Sequence, residues 1–303
     1  MIGKKDNDKQ NPNNYRSISV TSCLGKILER ILNQRFYNFC EENNVLAYQQ
    51  SGFRKHRGTK DNIIFLTQKI IETFNRKKKM CCIFFDISKA FDKVWHNGLI
   101  FKLDQSRCPL YLLNWIKEFL KGRNFRVKVN NAISDLAEIT ASVPQGSPFS
   151  PTLFDAYIND IPKRDISNCS GSLLYADDLV TMFMFDKRGQ IEKTINKYLV
   201  LIEKWLIKWK LKMSASKCNY IIFHNGPTRP ALLNLNLFGS KMPFDPNPTF
   251  LGVTFDERLT FKTYVKNIKS KVQNRLNIIR ILSSNYWKLT SALLLQIYSA
   301  LVR

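Results

Sequence analysis

The chain has 303 residues, 47 of them Lys or Arg against 24 Asp or Glu, for a formal charge of +23. That excess is far beyond what solubility needs and suits a polyanionic partner, although charge alone leaves acidic proteins and membrane surfaces open as alternatives. The 44% hydrophobic content is ordinary for a folded chain, and seven cysteines without C-x-x-C spacing make neither a disulfide framework nor a zinc site.

In chain order, the Asn-rich start lacks the apolar stretch of a signal peptide, and no uncharged apolar run reaches the length of a membrane span. With the cysteine usage, this gives an expectation of a reduced intracellular setting and no membrane. Leu24, Ile27, Leu28, Ile31, Leu32 and Phe39 mark one face of a first helix, and Ile63, Leu66, Ile70 and Phe74 mark a second. Arg76-Lys77-Lys78-Lys79 closes the second helix, where positive charge is favourable. Met80 through Phe85 is a continuous apolar run, which predicts a strand buried on both faces, with Asp86 at its end. A helix over 110–120 stops at Gly122. Arg126-Val127-Lys128-Val129 alternates as a strand, with Asn130-Asn131 as its turn.

Two apolar runs then flank Tyr175-Ala176-Asp177-Asp178, which predicts two short buried strands with the acid pair at a tight turn between them. Adjacent carboxylates in apolar surroundings are costly unless a cation offsets them, and oxygen ligands suit magnesium. The alternative is an ordinary hairpin with a solvated acidic turn. Asp86 is a second acid site 177 − 86 = 91 positions earlier, so only the fold can bring the two together. Together they would match a two-metal site; Asp92 reads as structural or as a helix N-terminal acid. Ile191, Ile195, Tyr198, Ile202, Trp205 and Trp209 form one helical stripe, and the tryptophans read as core. Tyr220–Phe223 and Phe250–Val253 read as late strands, with loop or hairpin between. This mixture of helices and antiparallel hairpins is α+β.

Several blocks carry a resemblance. Phe85-Asp86-x-x-Lys89-Ala90-Phe91-Asp92, Pro144-Gln145-Gly146-Ser147-Pro148-x-Ser150-Pro151 and Tyr175-Ala176-Asp177-Asp178 stand in the order of a reverse transcriptase. Asn14 through Ser19, Gln50-Ser51-Gly52-Phe53-Arg54, Trp205-x-x-x-Trp209 with Ser216-Lys217, and Phe250 through Asp256 extend the match over nearly the whole chain. The sequence resembles the polymerase of non-LTR, LINE-type retrotransposons, most of all the jockey-like elements. The resemblance implies a right-hand polymerase, with fingers and palm over 1–255 and the start of a helical thumb over 256–303. It implies attack of a primer 3′-hydroxyl on a dNTP, with two Mg²⁺ (or Mn²⁺) ions held by Asp86, Asp177 and Asp178. Lys217 would protonate the leaving pyrophosphate, though a solvated surface lysine is as good a reading. Arg16, Phe91, Gln145 and Gly146 would meet the dNTP, Phe91 by clashing with a ribose 2′-hydroxyl. Arg54, Lys55 and Arg57 are the template candidates, and the partners implied are an RNA template and a DNA primer.

Ser17, Ser214, Phe149 and Tyr264 depart from the residues usual in the family, and none of them is a metal-ligand position. The family's upstream elements, its endonuclease and the rest of its thumb are expected to lie outside these residues, which would weaken processive synthesis. An inactive RNA-binding remnant and an RNA-templated RNA polymerase are the competing readings. A nuclear or cytoplasmic location is the expectation.

Overall fold

The computed structural model describes residues 2–3, 15–16, 18–20, 22–129, 132–163, 170–213, 217–284 and 286–302. Ser17, Ser214, Ser216 and the Asn130-Asn131 turn fall outside them.

A four-stranded antiparallel sheet organises the chain. Its strands are β1 (Lys79–Asp86), β2 (Gly171–Tyr175), β3 (Asp178–Phe185) and β4 (Asn219–Phe223), in the spatial order β4-β1-β3-β2. The continuous apolar run of β1 has the expected cause, since Met80, Cys81, Cys82 and Ile83 are all fully buried. Alternate residues feed two cores. Cys81, Ile83 and Phe85 enter the larger one, and Met80, Cys82 and Phe84 the smaller.

The larger core draws on α1 (Cys23–Glu42), α3 (His96–Gln105), α4 (Leu110–Leu120), α5 (Ser150–Ile158) and α6 (Arg188–Lys208). Trp205 and Trp209 are buried in it, as the stripe on α6 predicts. The smaller core lies under α2 (Thr59–Asn75) with Phe250 and Phe255. Each face of the sheet is therefore covered, which is why its strands carry almost no polar residues.

Three expectations change. The strand expected over 126–129 shortens to Lys128–Val129, which pairs with Ala132–Ile133, and a separate strand before it, Asn124–Phe125, pairs with Ala137–Glu138. Phe250–Val253 is not one strand but a hairpin, Thr249–Phe250 against Val253–Thr254. Leu251 and Gly252 both take positive φ (47° and 85°), the conformation a two-residue hairpin turn requires. On α1, Leu24, Ile27, Leu28 and Ile31 are exposed, so only the second half of that stripe is core. The remaining helices, α7 (Lys262–Leu282) and α8 (Ser291–Leu301), pack on each other and bury no residue. No helix among the described residues is long and apolar enough to cross a membrane.

Candidate active site

β2 and β3 form a hairpin whose turn is Ala176-Asp177, closed by the pair Tyr175–Asp178. On the other side of β3, Asp178 lies directly opposite Asp86, the last residue of β1. Residues opposite each other in an antiparallel pair project on the same face. The register thus brings the two acid sites together across the 91 positions that separate Asp86 from Asp177. Like charges directly opposed on a sheet are unfavourable, and Asp178 shows the consequence. Crowding by packed atoms, then the charges of Asp177 and Asp86, push its carboxyl up to about 6. Its residue is exposed by surface area, so solvent screens part of this repulsion.

One cation answers the cluster. The Lys217 ammonium lies 3.3 Å from Asp86 Oδ2. The approach is at ion-pair distance but off hydrogen-bond geometry, and Oδ2 itself is buried with no hydrogen bond. Lys217 is brought there because the chain leaving α6 runs along the end of β1. Ile87 bridges to Met213, Ser88 N–H donates to Lys212 O at 2.9 Å, and Asp86 N–H donates to Cys218 Sγ at 3.4 Å. The carboxylates are neighbours but not a preassembled cage, for among the described residues no three Asp, Glu, His or Cys side chains converge to ligating distance. The donor set is all oxygen, and the orphaned Oδ2 of Asp86 is an unused ligand, so the residues present fit a hard divalent cation.

Around the acids, Phe91 opens a short 3-10 turn, Phe91–Lys93. Its ring stacks on Phe154 (centroids 4.6 Å apart) and meets Phe53 edge-on at 6.3 Å. The loop of Pro144 through Pro148 packs on that turn: Gln145 Nε2 donates to Asp92 Oδ1 at 2.8 Å, and Val143 N–H donates to Phe91 O at 2.9 Å. On its other side, Ser19 N–H donates to Gln145 O at 2.8 Å. A Cβ at Gly146 (φ +111°) would stand 3.0 Å from Ser19 O, so only glycine permits this approach. Asp92 is structural, as expected. Arg16 lies in a two-residue strand paired with Ile2–Gly3, and its side chain is outside what is described.

The basic segment after Gly52 has a different role from the one its composition suggests. Arg54 is a correction: its side chain is 8% exposed and grips Glu41 with two nitrogens. The same guanidinium donates to Ala47 O at 2.8 Å and to Gln50 O at 3.3 Å. That hydrogen bonding holds the Glu41 carboxyl below its ordinary range. A guanidinium consumed by protein acceptors is not available to a phosphate. Arg57 also turns inward, donating to Tyr48 O and Gln50 O, and lies over the Tyr48 ring. Lys55 is exposed; its ammonium reaches Gln34 Oε1 and the Tyr37 ring.

Two residues near the acids carry no sequence signal of their own. Asp155, on α5, is 1% exposed, and its Oδ1 has no hydrogen bond. Burial pushes its carboxyl well above the ordinary range, with Arg54 opposing and Asp177 adding. Gln50 folds its amide onto Ala176 of the acidic turn. Gln50 stands in a recognisable block, but nothing in the sequence indicates that its side chain meets a turn 126 positions away.

Comparison with known proteins agrees with this geometry. Residues 2–255 match the family model described as "Reverse transcriptase (RNA-dependent DNA polymerase)". The "Probable RNA-directed DNA polymerase from transposon BS" of Drosophila melanogaster is 30% identical over 285 residues, 92% of this chain and 31% of that protein. The "RNA-directed DNA polymerase from mobile element jockey" of Drosophila funebris is 29% identical over 307 residues, 100% of this chain and 33% of that protein. The chain thus spans about a third of the length of these relatives. Among solved structures, a Candida tropicalis telomerase in complex with a telomeric RNA fragment superposes with a TM-score of 0.51 at 12% identity, covering 92% of this chain and 45% of that one. At that identity the likeness concerns the fold alone.

Proposed function

The chain belongs to the reverse transcriptase family, and from that premise we propose that it is the RNA-directed DNA polymerase portion of a non-LTR retrotransposon protein. It extends a DNA primer on an RNA template. The observation that carries this reading is the register that sets Asp86 opposite Asp178 beside the Asp177 turn.

Asp86, Asp177 and Asp178 would hold the divalent ions that reverse transcriptases use. Those ions, when bound, would lower the pKa of the primer 3′-hydroxyl and neutralise charge on the leaving pyrophosphate. Lys217, beside Asp86, is placed to give a proton to the pyrophosphate oxygen. Phe91, fixed between Phe154 and Phe53, closes the space a ribose 2′-hydroxyl would need. The Gln145-Gly146 loop, braced on Asp92 and Ser19, forms one wall for the base pair, and Arg16 grips the triphosphate. Residues 1–255 act as fingers and palm, and α7 and α8 begin the thumb. Lys55 and the other exposed basic residues supply contact to nucleic-acid phosphate, which makes binding salt-dependent. On this reading the protein would act in the nucleus or the cytoplasm.

Purified chain with primed poly(rA), dTTP and Mg²⁺ or Mn²⁺ tests the reading. Incorporation that disappears in Asp177→Asn and is not supported by UTP is the expected result. Salt-sensitive RNA binding with no incorporation would instead mark a non-enzymatic remnant.

A further inference from the structure

The acidic turn is held from outside the hairpin that makes it. Ala176 takes φ +52°, the positive φ that a two-residue hairpin turn requires and that glycine meets more easily than an L-residue. A neighbour braces the strained residue. The neighbour is the segment 49–52, which runs beside β2 as an extra short strand: Leu174 N–H donates to Gln49 O and Ser51 N–H donates to Leu174 O, each at 2.9 Å. From this strand Gln50, 2% exposed, turns its amide onto the turn. Its Oε1 accepts from Ala176 N–H at 3.0 Å and from Gly52 N–H at 2.8 Å. Its Nε2 faces Ala176 O at 3.4 Å. Both backbone polar groups of Ala176, in the peptides on either side of its Cα, are therefore met by one side chain.

Gly52 completes the seat. A Cβ there would stand 2.2 Å from Ala176 N and 2.9 Å from Ala176 Cα, which no side chain can occupy without moving the turn. Gln50 is itself anchored, since its carbonyl accepts from Arg57 Nη1 at 3.0 Å and from Arg54 Nη1 at 3.3 Å. The two arginines that the sequence suggests for the template thus hold the residue that holds the turn. Asp177 follows Ala176 immediately, so any rotation of this peptide re-aims the carboxylates against Asp86.

We propose that Gln50 is a positioning residue, with Gly52 as its necessary partner, that fixes the Ala176 peptide and so sets the Asp177–Asp178 carboxylates for divalent-cation binding. The proposal rests on the polymerase reading above and names a part of that site which touches neither substrate nor cation.

The test measures Mn²⁺ binding to the purified chain by electron paramagnetic resonance, without substrate, beside primed incorporation on poly(rA). Gln50→Met keeps the volume and removes all three contacts. Gly52→Ala keeps the Gln50 side chain but displaces the turn and crowds the amide, since its Cβ would also stand 3.1 Å from Gln50 Oε1. Asn62→Ala is the control: Asn62 Nδ2 donates to Leu174 O at 3.1 Å and its Oδ1 accepts from Ser51 Oγ at 2.9 Å, so it ties the same two segments together without touching the turn or the Gln50 amide. Partners that orient metal ligands typically change affinity or activity about 10- to 100-fold when removed. Both test variants should weaken Mn²⁺ binding by about tenfold and lower kcat comparably, with KM for dTTP little changed, while Asn62→Ala lowers only the melting temperature. Either test variant serves if the other does not fold. Unchanged Mn²⁺ affinity in a folded test variant, or an equal loss in Asn62→Ala, overturns the proposal and leaves the polymerase reading intact. Failure of the wild-type chain to bind Mn²⁺ overturns both.

Discussion

Asp178→Asn should stabilise the protein when divalent ions are removed. The perturbation replaces one of two carboxylates that face each other across the sheet with a neutral isostere. Opposed side chains stand about 5 Å apart, so the repulsion is between about 0.8 kcal/mol in water and about 3 kcal/mol at an effective dielectric constant of about 20. The Asp86 side chain is 39% exposed and Asp178 is exposed as well, which selects the lower end. A gain of about 1 kcal/mol, or about 2 °C in melting temperature, is expected in chelator. Millimolar Mg²⁺ should reverse the order, because an ion at about ten times its dissociation constant stabilises the wild type by about 1.4 kcal/mol, and the variant has lost a ligand. The pH dependence follows the same logic. The folded Asp178 carboxyl titrates near 6, above its ordinary 3.8, so the folded state holds the proton more tightly than the unfolded one. In chelator, wild-type stability should therefore rise as pH falls from 7 toward 4; Asp155, also held above its ordinary range, adds to the rise in both proteins, so the rise should be smaller in Asp178→Asn. Thermal unfolding in chelator and in Mg²⁺, across this pH range, reads all three effects. A variant less stable than wild type in chelator would show that the carboxylates do not repel, and the account of the acid cluster would fall.

Arg54→Ala should cost about 3 kcal/mol in denaturant unfolding, because it leaves Glu41 without its guanidinium partner and takes one of two donors from each of the Ala47 and Gln50 carbonyls, while the salt dependence of RNA binding stays the same. Phe91→Ala should raise UTP use relative to dTTP by at least about tenfold in primed incorporation; unchanged discrimination would show that the ring stacked on Phe154 does not gate the sugar. Lys217→Ala should lower kcat by about 10²-fold with little change in KM. RNA binding measured between 50 and 200 mM salt should weaken steeply and log-linearly, as expected for phosphate neutralisation by a chain of charge +23.

The acidic site was legible because its signals are local. Met80 through Phe85 can only be a covered strand, and an acid pair between two apolar runs can only be a turn. The meeting of Asp86 with Asp178 was not legible from periodicity, since register is a property of pairing, and the family resemblance alone supplied it. Arg54 misled for a physical reason: charge count says nothing about whether a guanidinium faces solvent or a half-buried glutamate. Gln50 was silent because an amide at the end of a short strand looks alike whether it is solvated or folded back on a neighbour. On α1, the stripe from Leu24 to Ile31 has helical spacing but no cover among the described residues, so periodicity located the helix and overstated its buried face. Phe250–Val253 failed differently, because β-type residues occur equally in a strand and in the arms of a two-residue hairpin.

The spatial order β4-β1-β3-β2 bears on how the chain is made. Both neighbours of β1 come later in the sequence, and the nearer begins 178 − 86 = 92 residues after β1 ends. At the usual speed of a ribosome, about 5–20 residues per second, that strand waits roughly 5–20 s with both edges unpaired. Its run Met-Cys-Cys-Ile-Phe-Phe is then an adhesive ribbon, and the positive charge that follows α2 at Arg76 through Lys79 sits where it can keep nascent copies apart.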